Sequence, residues 1–336
     1  MLDSADVRKL NRDKIRDVMR QGEEYTKQEI AVKTGLSVAT CNTLLNDLES
    51  RGEVIGEKRR LNNVGRGTIV YHMNEEYESI LCIHFDALYG QKYLCSIVLS
   101  PSGKILEKTD GFYDPLDYEL LEKTVTNAFE RYPNISEIMV GTPSIAEHGI
   151  IRHCDIPELE DEPLVEKLED LFHVPVFMEN DMHYKVYGYY RKEKPGDAVV
   201  TLANFPEHVL PGTATVYKGT IIKGKNDFAG MVGFLPYGIS LQEQLLQLET
   251  GTCLPLISKA VSSIIAILNP GRIVFTGDLL SGGMVERIRE DCLQSVPEEY
   301  MPEFSFVQDM EDYYVEGMYQ RAMDMKKINM EEKIND

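Results

Sequence analysis

Three short segments near the start of the chain carry apolar residues at helical spacing. In the first of them, five apolar residues share one helical face: Val7, Leu10, Ile15, Val18 and Met19. Gly22 ends this predicted helix. The second segment begins at Thr26, where Glu29 completes a capping box, and it ends at Gly35. These signals predict two consecutive helices with defined ends.

The third segment, SVATCNTLLNDLESRG, begins at Ser37, which caps a further predicted helix. Its apolar positions form a stripe that we expect to be buried: Val38, Cys41, Leu45 and Leu48. The opposite face is small and polar: Ala39, Thr40, Asn42, Thr43 and Asn46. Such a helix can enter a DNA major groove about 12 Å wide and present hydrogen-bonding groups to base edges. Paired helices of this kind also occur in protein-binding modules, which stay an alternative.

Two strand-like segments follow, at Glu53–Gly56 and Thr68–Met73, and flank the sequence EKRRLNNVGRG. They predict a β-hairpin whose tip carries four basic residues: Lys58, Arg59, Arg60 and Arg66. Gly65 and Gly67 free the backbone beside Arg66, so that its side chain can reach a minor groove or phosphates. Taken alone, the tip could also be a solvated loop. Helices and hairpin together predict a winged helix-turn-helix that binds DNA.

Beyond a short polar seam, NEEYE at residues 74–78, strand-like and helical patterns alternate. Strands are predicted at four segments: Ser79–Phe85, Tyr93–Leu99, Glu137–Val140 and Val174–Met178. Helices are predicted at Tyr118–Arg131 and Leu164–Phe172. Such alternation is typical of an α/β fold, and the seam predicts a domain boundary.

The charge of the chain is divided unevenly at that boundary. The 336 residues include 35 Lys or Arg and 55 Asp or Glu, which leaves a net charge of −20. Through His72, however, thirteen basic and eleven acidic residues give +2, so that the remainder carries −22. An evenly spread −20 would argue against DNA binding, because phosphate contacts need local positive charge. The near-neutral N-terminal segment, called the head, is therefore still able to bind DNA.

We expect a cytoplasmic protein without a membrane partner. No stretch of about 18 apolar residues is present, and the N-terminal sequence is too charged for a signal peptide. The six cysteines are scattered without CxxC or CxxH spacing, and several lie inside apolar runs such as ILCIHF. They predict buried reduced thiols, neither a disulfide framework nor a zinc cage.

The order of these motifs resembles the ROK family, named for repressors, open reading frames and sugar kinases, over essentially the whole chain. The head is similar to that of its repressors in Asn11, in the GLSVAT segment and in the GR motif of VGRGTIVYHMN. In the rest of the chain, called the body, GTPSIAEHGII (141–151) resembles the family's glycine-proline-glycine loop. VPVFMENDMHYKVYGYYR (174–191) resembles its strand, Asn-Asp and helix segment, which is the most specific match.

The resemblance implies an α/β chain with an N-terminal winged helix-turn-helix, followed by an actin-like (ASKHA) two-lobed ROK domain. Residues 1–76 would form the winged helix, and 77–181 the first lobe, to which a C-terminal helix at 313–336 returns. Residues 182–312 would form the second lobe, with the dimerisation surface and the effector cleft.

In the family's kinases, the aspartate matching Asp181 is the general base and the asparagine matching Asn180 holds sugar hydroxyls. Without the resemblance, this Asn-Asp pair would be interpreted as an ordinary helix cap.

Both phosphate loops of the family's kinases depart from their pattern here. His84 and Asp86 stand where the first loop would have an aspartate and a glycine. The second loop should be glycine-rich, so that backbone amides close around phosphate. This chain has LANFPEHVLPGTATVYKG instead, with two prolines and Glu207. We therefore expect no catalytic residue, unless Asp181 retains kinase activity.

The sugar and zinc motifs are altered as well. Met231 and Phe234 replace a carboxylate and an imidazole that would bind sugar hydroxyls, and the cysteine-rich zinc motif is reduced to Cys253. We expect no metal and no cofactor. TGD at 276–278 is interpreted as a fold turn; a nucleotide contact is its alternative. Any cleft ligand should be less polyhydroxylated than glucose, or a modified sugar with an apolar substituent such as an acetamido group.

These observations lead to one functional prediction: the chain is a DNA-binding regulator of the ROK type with an inactive kinase-like domain. The simplest role for such a regulator is repression of carbohydrate metabolism genes. Its partners would be a double-stranded DNA operator, a sugar-like effector and further copies in a homodimer or tetramer. The predicted DNA-binding residues are Ser37, Ala39, Thr40, Asn42, Thr43, Asn46, Arg59, Arg60 and Arg66. The predicted effector-binding residues are Thr142, Pro143, Ser144, Asn180, Asp181, Met231 and Phe234. A sugar kinase using Asp181, and a body that only dimerises, stay alternatives.

Overall fold

The computed structural model describes residues 4–59, 67–88, 90–154, 156–196 and 198–335. The chain forms two compact units, described separately below. The first comprises Met1–Leu81, Ser96–Thr109 and Lys123–Ile138, and the second comprises Cys82–Cys95, Asp110–Glu122 and Met139–Asp336. Within the described ranges, no helix combines the length and the apolar character that a membrane span needs.

The first unit begins with a head of three helices and a small antiparallel sheet. Its helices are α1 (Ser4–Met19), α2 (Lys27–Thr34) and α3 (Val38–Ser50). Its strands are β1 (Tyr25–Thr26), β2 (Val54–Arg59) and β3 (Thr68–Met73), arranged in the order β1-β3-β2. The antiparallel pairing of β2 with β3 runs from Val54 opposite Met73 to Arg59 opposite Thr68. The two predicted strands therefore pair with each other, and β2 continues three residues beyond Gly56.

Side chains at the helix starts satisfy backbone groups that the helices themselves leave unpaired. At α2, the Glu29 N–H donates to the Thr26 hydroxyl at 3.3 Å, and the Thr26 N–H donates to the Glu29 carboxylate at 2.7 Å. At α3, the Thr40 N–H donates to the Ser37 hydroxyl at 3.1 Å. The capping box and the Ser37 cap predicted from the sequence are thus confirmed.

The predicted buried stripe of α3 is wrong at its N-terminal end, and the apolar face of α1 is exposed at its N-terminal end. Val7, Leu10 and Val38 are 43%, 50% and 49% exposed. The buried residues of these two helices lie further along each of them: Ile15, Val18, Met19, Cys41, Leu44, Leu45 and Leu48. Helical spacing identifies a face, but the core of the head covers only part of the length of that face.

The α/β part of the described chain contains two five-stranded sheets and a two-stranded pair. The strands up to Asn180 are β4 (Ser79–Leu88), β5 (Gln91–Leu99), β6 (Ile105–Phe112), β7 (Ile135–Thr142), β8 (Ile145–Glu147), β9 (Ile150–Arg152) and β10 (Val176–Asn180). The later strands are β11 (Val200–Asn204), β12 (Gly212–Tyr217), β13 (Thr220–Ile221), β14 (Arg272–Thr276) and β15 (Glu303–Phe306). The sheet orders are β10-β7-β4-β5-β6 and β13-β12-β11-β14-β15, and β8 pairs with β9.

The remaining helices are α4 (Tyr118–Arg131), α5 (Leu164–Phe172), α6 (Asp181–Glu193), α7 (Leu241–Gln247), α8 (Leu254–Leu268), α9 (Gly282–Cys292) and α10 (Glu311–Asn335). The bounds of α4 and α5 are those predicted from the sequence. In the later sheet, Ile273 and Phe275 pack against α8 and α9. Val274 belongs to the cluster that includes α6, because successive strand residues face opposite sides. This sheet is therefore covered on both faces by helices.

Helices α6 and α10 pack closely against each other at two glycines. A Cβ atom added at Gly188 would lie 1.8 Å from the carbonyl oxygen of Tyr313, and one added at Gly317 would lie 1.9 Å from that of Tyr184. Only glycine permits this approach. The predicted C-terminal helix exists and begins at Glu311; the assignment of 77–181 and 182–312 to two lobes stays a prediction.

Candidate functional site

The outer face of α3 displays the residues predicted to contact DNA bases. Ala39, Thr43 and Asn46 are exposed, as is the cap residue Ser37, whereas Thr40 and Asn42 are partly buried. Positions 39, 42, 43 and 46 follow the spacing of one helical face. The structure thus brings the predicted α3 residues together on one small, polar surface.

Lys27, at the start of α2, adds a cation beside that surface. Its ammonium group donates a hydrogen bond to the side-chain oxygen of Asn42 and lies 5.5 Å from the centroid of the Tyr71 ring. The sequence prediction missed Lys27, because α2 and α3 meet only in the tertiary structure. No local pattern marks this lysine.

Of the three arginines predicted at the hairpin tip, Arg59 is described, at the end of β2, while Arg60 and Arg66 lie outside the described residues. The exposed Arg59 guanidinium forms ion pairs with Glu24 and Glu57. Its hydrogen bond to Glu57 is 2.8 Å long and lowers the pKa of that carboxyl group. These two carboxylates therefore compete with any phosphate for the Arg59 guanidinium.

Several other arginines of the head are engaged inside it. The carboxylate of Asp47 lies 3.0 Å from Arg12 and 3.4 Å from Arg51. Arg16 donates two hydrogen bonds to Glu53, at 2.8 and 2.9 Å. A count of basic residues thus overstates the positive charge that the head can offer to a partner.

The second unit contains a cleft of about 1030 Å³. Five of the seven predicted effector-binding residues line it: Pro143, Asn180, Asp181, Met231 and Phe234. Thr142 and Ser144 are buried and do not line it. The Asn180 amide donates to the backbone oxygen of Ser144 at 3.1 Å, which ties that buried turn to the wall of the cleft.

Asn180 and Asp181 both have partners within the protein. The side-chain oxygen of Asn180 accepts the Met182 N–H at 3.0 Å, so that Asn180 caps α6. Asp181 forms an ion pair with Lys185 one helical turn later. Burial alone would lower the pKa of Lys185, but the carboxylates of Asp181 and Asp86 outweigh it and raise this pKa. Lys185 therefore stays charged beside Asp181.

The cleft is rich in carboxyl groups. Seven of its described lining residues carry one: Asp86, Asp181, Glu207, Asp227, Asp278, Asp309 and Glu311. Among the same residues Lys185 is the one lysine, and arginine does not occur. Burial raises the pKa of Asp86, and Lys185 only partly opposes this. Such a surface disfavours phosphate groups and attracts cations.

One wall of the cleft is apolar. Met231 and Phe234 are 36% and 53% exposed, and the ring of Phe234 lies 5.6 Å from that of Phe228. The segment Thr276 to Asp278 also lines the cleft. The arrangement can hold a small molecule between an apolar wall and a row of polar groups.

No protein-family model matches the sequence, and no curated protein matches it. Solved structures do. The crystal structure of a ROK family transcriptional regulator, a homologue of the E. coli MLC protein, matches with a TM-score of 0.69 and 13% identity over 94% of this chain and 96% of that chain. This chain has the ROK fold.

Two further ROK structures match a smaller part of it. The ROK hexokinase from Thermus thermophilus gives a TM-score of 0.56 at 17% identity, over 73% of this chain and 99% of that chain. A ROK family protein from Streptococcus pneumoniae, in complex with sucrose, gives 0.57 at 16% identity, over 74% of this chain and 99% of that chain. At these identities the likeness concerns the fold, and at that level the resemblance seen in the sequence is confirmed.

The six cysteines of this ROK fold all lie in the described ranges and form no disulfide there; five are buried and Cys154 is partly exposed. Among the described residues, one group has the composition and spacing of metal ligands: His84, Cys95 and Glu311. The sequence did not suggest this group, because its members lie far apart in the chain. His84 stood out there only as a departure from the first phosphate loop.

Proposed function

We propose that this chain is a DNA-binding transcriptional regulator, whose head is a winged helix-turn-helix and whose ROK body senses a small effector without kinase activity. The observation that carries the proposal is the small, polar outer face of α3 next to the β2–β3 hairpin. The breadth of the regulator match supports it, since that structure corresponds to 94% of this chain and the hexokinase to 73%.

In this proposal α3 enters a major groove. Asn42 and Asn46 would form hydrogen bonds with base edges, and the exposed methyl groups of Ala39 and Thr43 would contact thymine. Lys27 would approach a phosphate, and the hairpin arginines Arg59, Arg60 and Arg66 would contact phosphates or a minor groove. A homodimer or tetramer would place two heads on a roughly palindromic operator.

The absence of kinase catalysis is proposed from the environment of Asp181. Lys185 holds this carboxylate in an ion pair, whereas a general base must reach the hydroxyl group of the sugar. Glu207 and the other carboxyl groups of the cleft would also repel the phosphates of ATP. The sequence also indicates that both phosphate loops are lost, which likewise argues against ATP binding.

For the effector we propose a sugar-like molecule that has fewer hydroxyl groups than glucose or bears an apolar substituent. Met231 and Phe234 would contact the substituent, the Asn180 amide would donate a hydrogen bond to a hydroxyl, and the Asp181 carboxylate would accept one. Binding would shift the population between two states of the oligomer, which differ in affinity for the operator. In this proposal the protein represses genes of carbohydrate metabolism.

The test is a selection of binding sites from random double-stranded DNA with the full-length protein, followed by titration of the enriched site. We expect Asn42→Ala to weaken binding by about 1–3 kcal/mol and to relax the base preference at one position. Asn127→Ala, an exposed asparagine of α4, is the matched control and should bind like the wild type. If no sequence is enriched, the DNA-binding proposal is wrong; if both variants bind the enriched site equally, the base contact proposed for Asn42 is wrong.

A further inference from the structure

His84 on β4, Cys95 on β5 and Glu311 at the start of α10 meet at one point of the second unit. Each offers one ligand atom, and these atoms all lie within 4.8 Å of one another. His84 is 5% exposed and Cys95 is fully buried, while Glu311 is partly exposed. Neighbouring strands and the first residue of a helix thus hold an imidazole, a thiol and a carboxylate in a mostly buried position.

The imidazole of His84 lacks a hydrogen bond where one is needed. Its buried Nε2 atom has no hydrogen-bond partner among the described residues. The nearest carboxylate oxygen, Oε1 of Glu311, lies 3.8 Å away, which is too far for a hydrogen bond. Two ligands of a tetrahedral zinc ion stand about 3.3–3.7 Å apart, given zinc–ligand bonds of about 2.0–2.3 Å. The gap between these atoms is close to what a shared metal ion requires.

We propose that His84, Cys95 and Glu311 bind a zinc ion. Nitrogen, sulfur and oxygen donors together suit Zn²⁺, whereas Mg²⁺ and Ca²⁺ prefer oxygen ligands alone. His84 and Glu311 also line the cleft, so that a fourth ligand, either water or a donor atom of a bound molecule, would come from that side. The site is separate from Cys253, the remnant of the cysteine-rich motif, and does not depend on the proposed DNA binding.

The surroundings orient two of the three ligands and favour a cation. The ring of His84 lies 4.5 Å from that of Tyr314 and 6.1 Å from that of Tyr93, and both contacts restrict its rotation. The Glu311 N–H donates to the carboxylate of Asp309 at 2.9 Å, which fixes the start of α10. The carboxyl-rich cleft adds a negative potential that attracts a divalent ion.

The experiment uses the untagged full-length chain, reduced, stripped with a chelator, loaded with Zn²⁺ and desalted. Elemental analysis should find one zinc per chain. Loading with Co²⁺ should produce a thiolate-to-cobalt charge-transfer band in the near ultraviolet, which reports on the cysteine ligand. Zinc should also raise the melting temperature, because it binds the folded chain.

Cys95→Ser should abolish the charge-transfer band, and Glu311→Gln should weaken zinc binding by more than about tenfold while keeping the fold. Cys154→Ser and Glu316→Gln, a cysteine and an α10 glutamate outside the group, are matched controls that should keep one zinc and full affinity. If Cys95→Ser fails to fold, the test of the site is zinc binding by Glu311→Gln, provided that this variant has a native circular-dichroism spectrum. No bound zinc in the wild type, a cobalt complex without the band, or equal binding by Glu311→Gln and Glu316→Gln would each overturn the site.

Discussion

Gly317 of α10 lies directly against the backbone carbonyl of Tyr184 in α6, so close that a Cβ atom at 317 would stand 1.9 Å from that oxygen. Gly188 has the reciprocal position, against the carbonyl of Tyr313. Because α6 begins with Asp181 and α10 with Glu311, this crossing sets the distance between two residues that line the cleft. The packing of these two helices thus sets the relative position of two groups that lie far apart in the sequence.

Gly317→Ala should therefore destabilise the protein. The added methyl group must push the two helix backbones apart, and overpacking of this kind costs about 1–3 kcal/mol. Chemical denaturation measures the change as a lower midpoint. Gly283→Ala, at a helical glycine with open space around its Cβ position, should cause no loss. Equal stability of the two variants would contradict the tight crossing.

Glu179 should make stability depend on pH in the acid range. Its buried carboxylate accepts hydrogen bonds from Arg321 at 2.5 and 3.1 Å and lies 3.4 Å from Lys223. Burial alone would raise the pKa of Glu179, but the two cations outweigh it and lower this pKa. The unfolded chain then binds the proton more readily, so that the stabilisation is complete above the ordinary glutamate pKa and disappears as the pH falls through the lowered value.

Glu179→Gln should consequently lower the free energy of unfolding by about 3 kcal/mol at pH 7, because the variant leaves the Arg321 charge buried without its carboxylate. The difference from the wild type should shrink as the pH is lowered. Denaturation curves at several pH values measure it, with the exposed Glu290→Gln as control. A difference that stays constant down to strongly acid pH would be inconsistent with this pair.

Arg59→Ala should weaken DNA binding for all sequences alike. A phosphate contact adds about one to the slope of log K against log salt, so the variant should lose about that much. Glu24→Gln removes one of the two carboxylates that hold Arg59 and should strengthen binding. Fluorescence anisotropy over a range of salt concentrations measures both effects, and Lys259→Ala on α8 serves as a distant control.

The proposed lack of kinase activity predicts no sugar-dependent ATP turnover over a panel of sugars. Asp181→Asn should instead destabilise the fold, because it leaves Lys185 buried without its partner, at a cost of about 3 kcal/mol. Combining it with Lys185→Met should restore part of the loss, which a double-mutant cycle of denaturation measurements quantifies. ATP turnover that Asp181→Asn abolishes would instead establish a kinase.

The apolar wall of the cleft predicts which ligands raise the melting temperature. Sugars with an apolar substituent such as an acetamido group should stabilise the protein, and plain hexoses should not. Phe234→Ala should remove the shift, while Leu246→Ala, an exposed apolar residue outside the cleft, should keep it. Stabilisation by hexoses alone would contradict this view of the cleft. No shift with any sugar would favour a body that only dimerises.

The sequence was most informative where a structural feature depends on neighbouring residues. The capping box at Thr26, the cap at Ser37 and the bounds of α4 and α5 follow from interactions within about one helical turn. Strand and helix alternation together with the family motifs predicted the α/β ROK fold, which the structural match confirms.

Burial was harder to predict than helix position. Val7, Leu10 and Val38 have the spacing of buried residues and are exposed, because the core of the head covers only part of α1 and α3. The count of basic residues in the head was misleading for a similar reason. It includes Arg12 and Arg16, although carboxylates far along the chain, those of Asp47 and Glu53, bind their guanidinium groups.

For this protein, then, local spacing, caps and motif order were enough to predict the helices and the paired strands of the head, the bounds of α4 and α5, and the fold. Tertiary packing alone decided that Lys27 reaches Asn42, and that His84, Cys95 and Glu311 meet. The reason is physical: an element forms from contacts between residues a few positions apart, whereas a site forms where separate elements bury their apolar faces and so carry distant polar groups together.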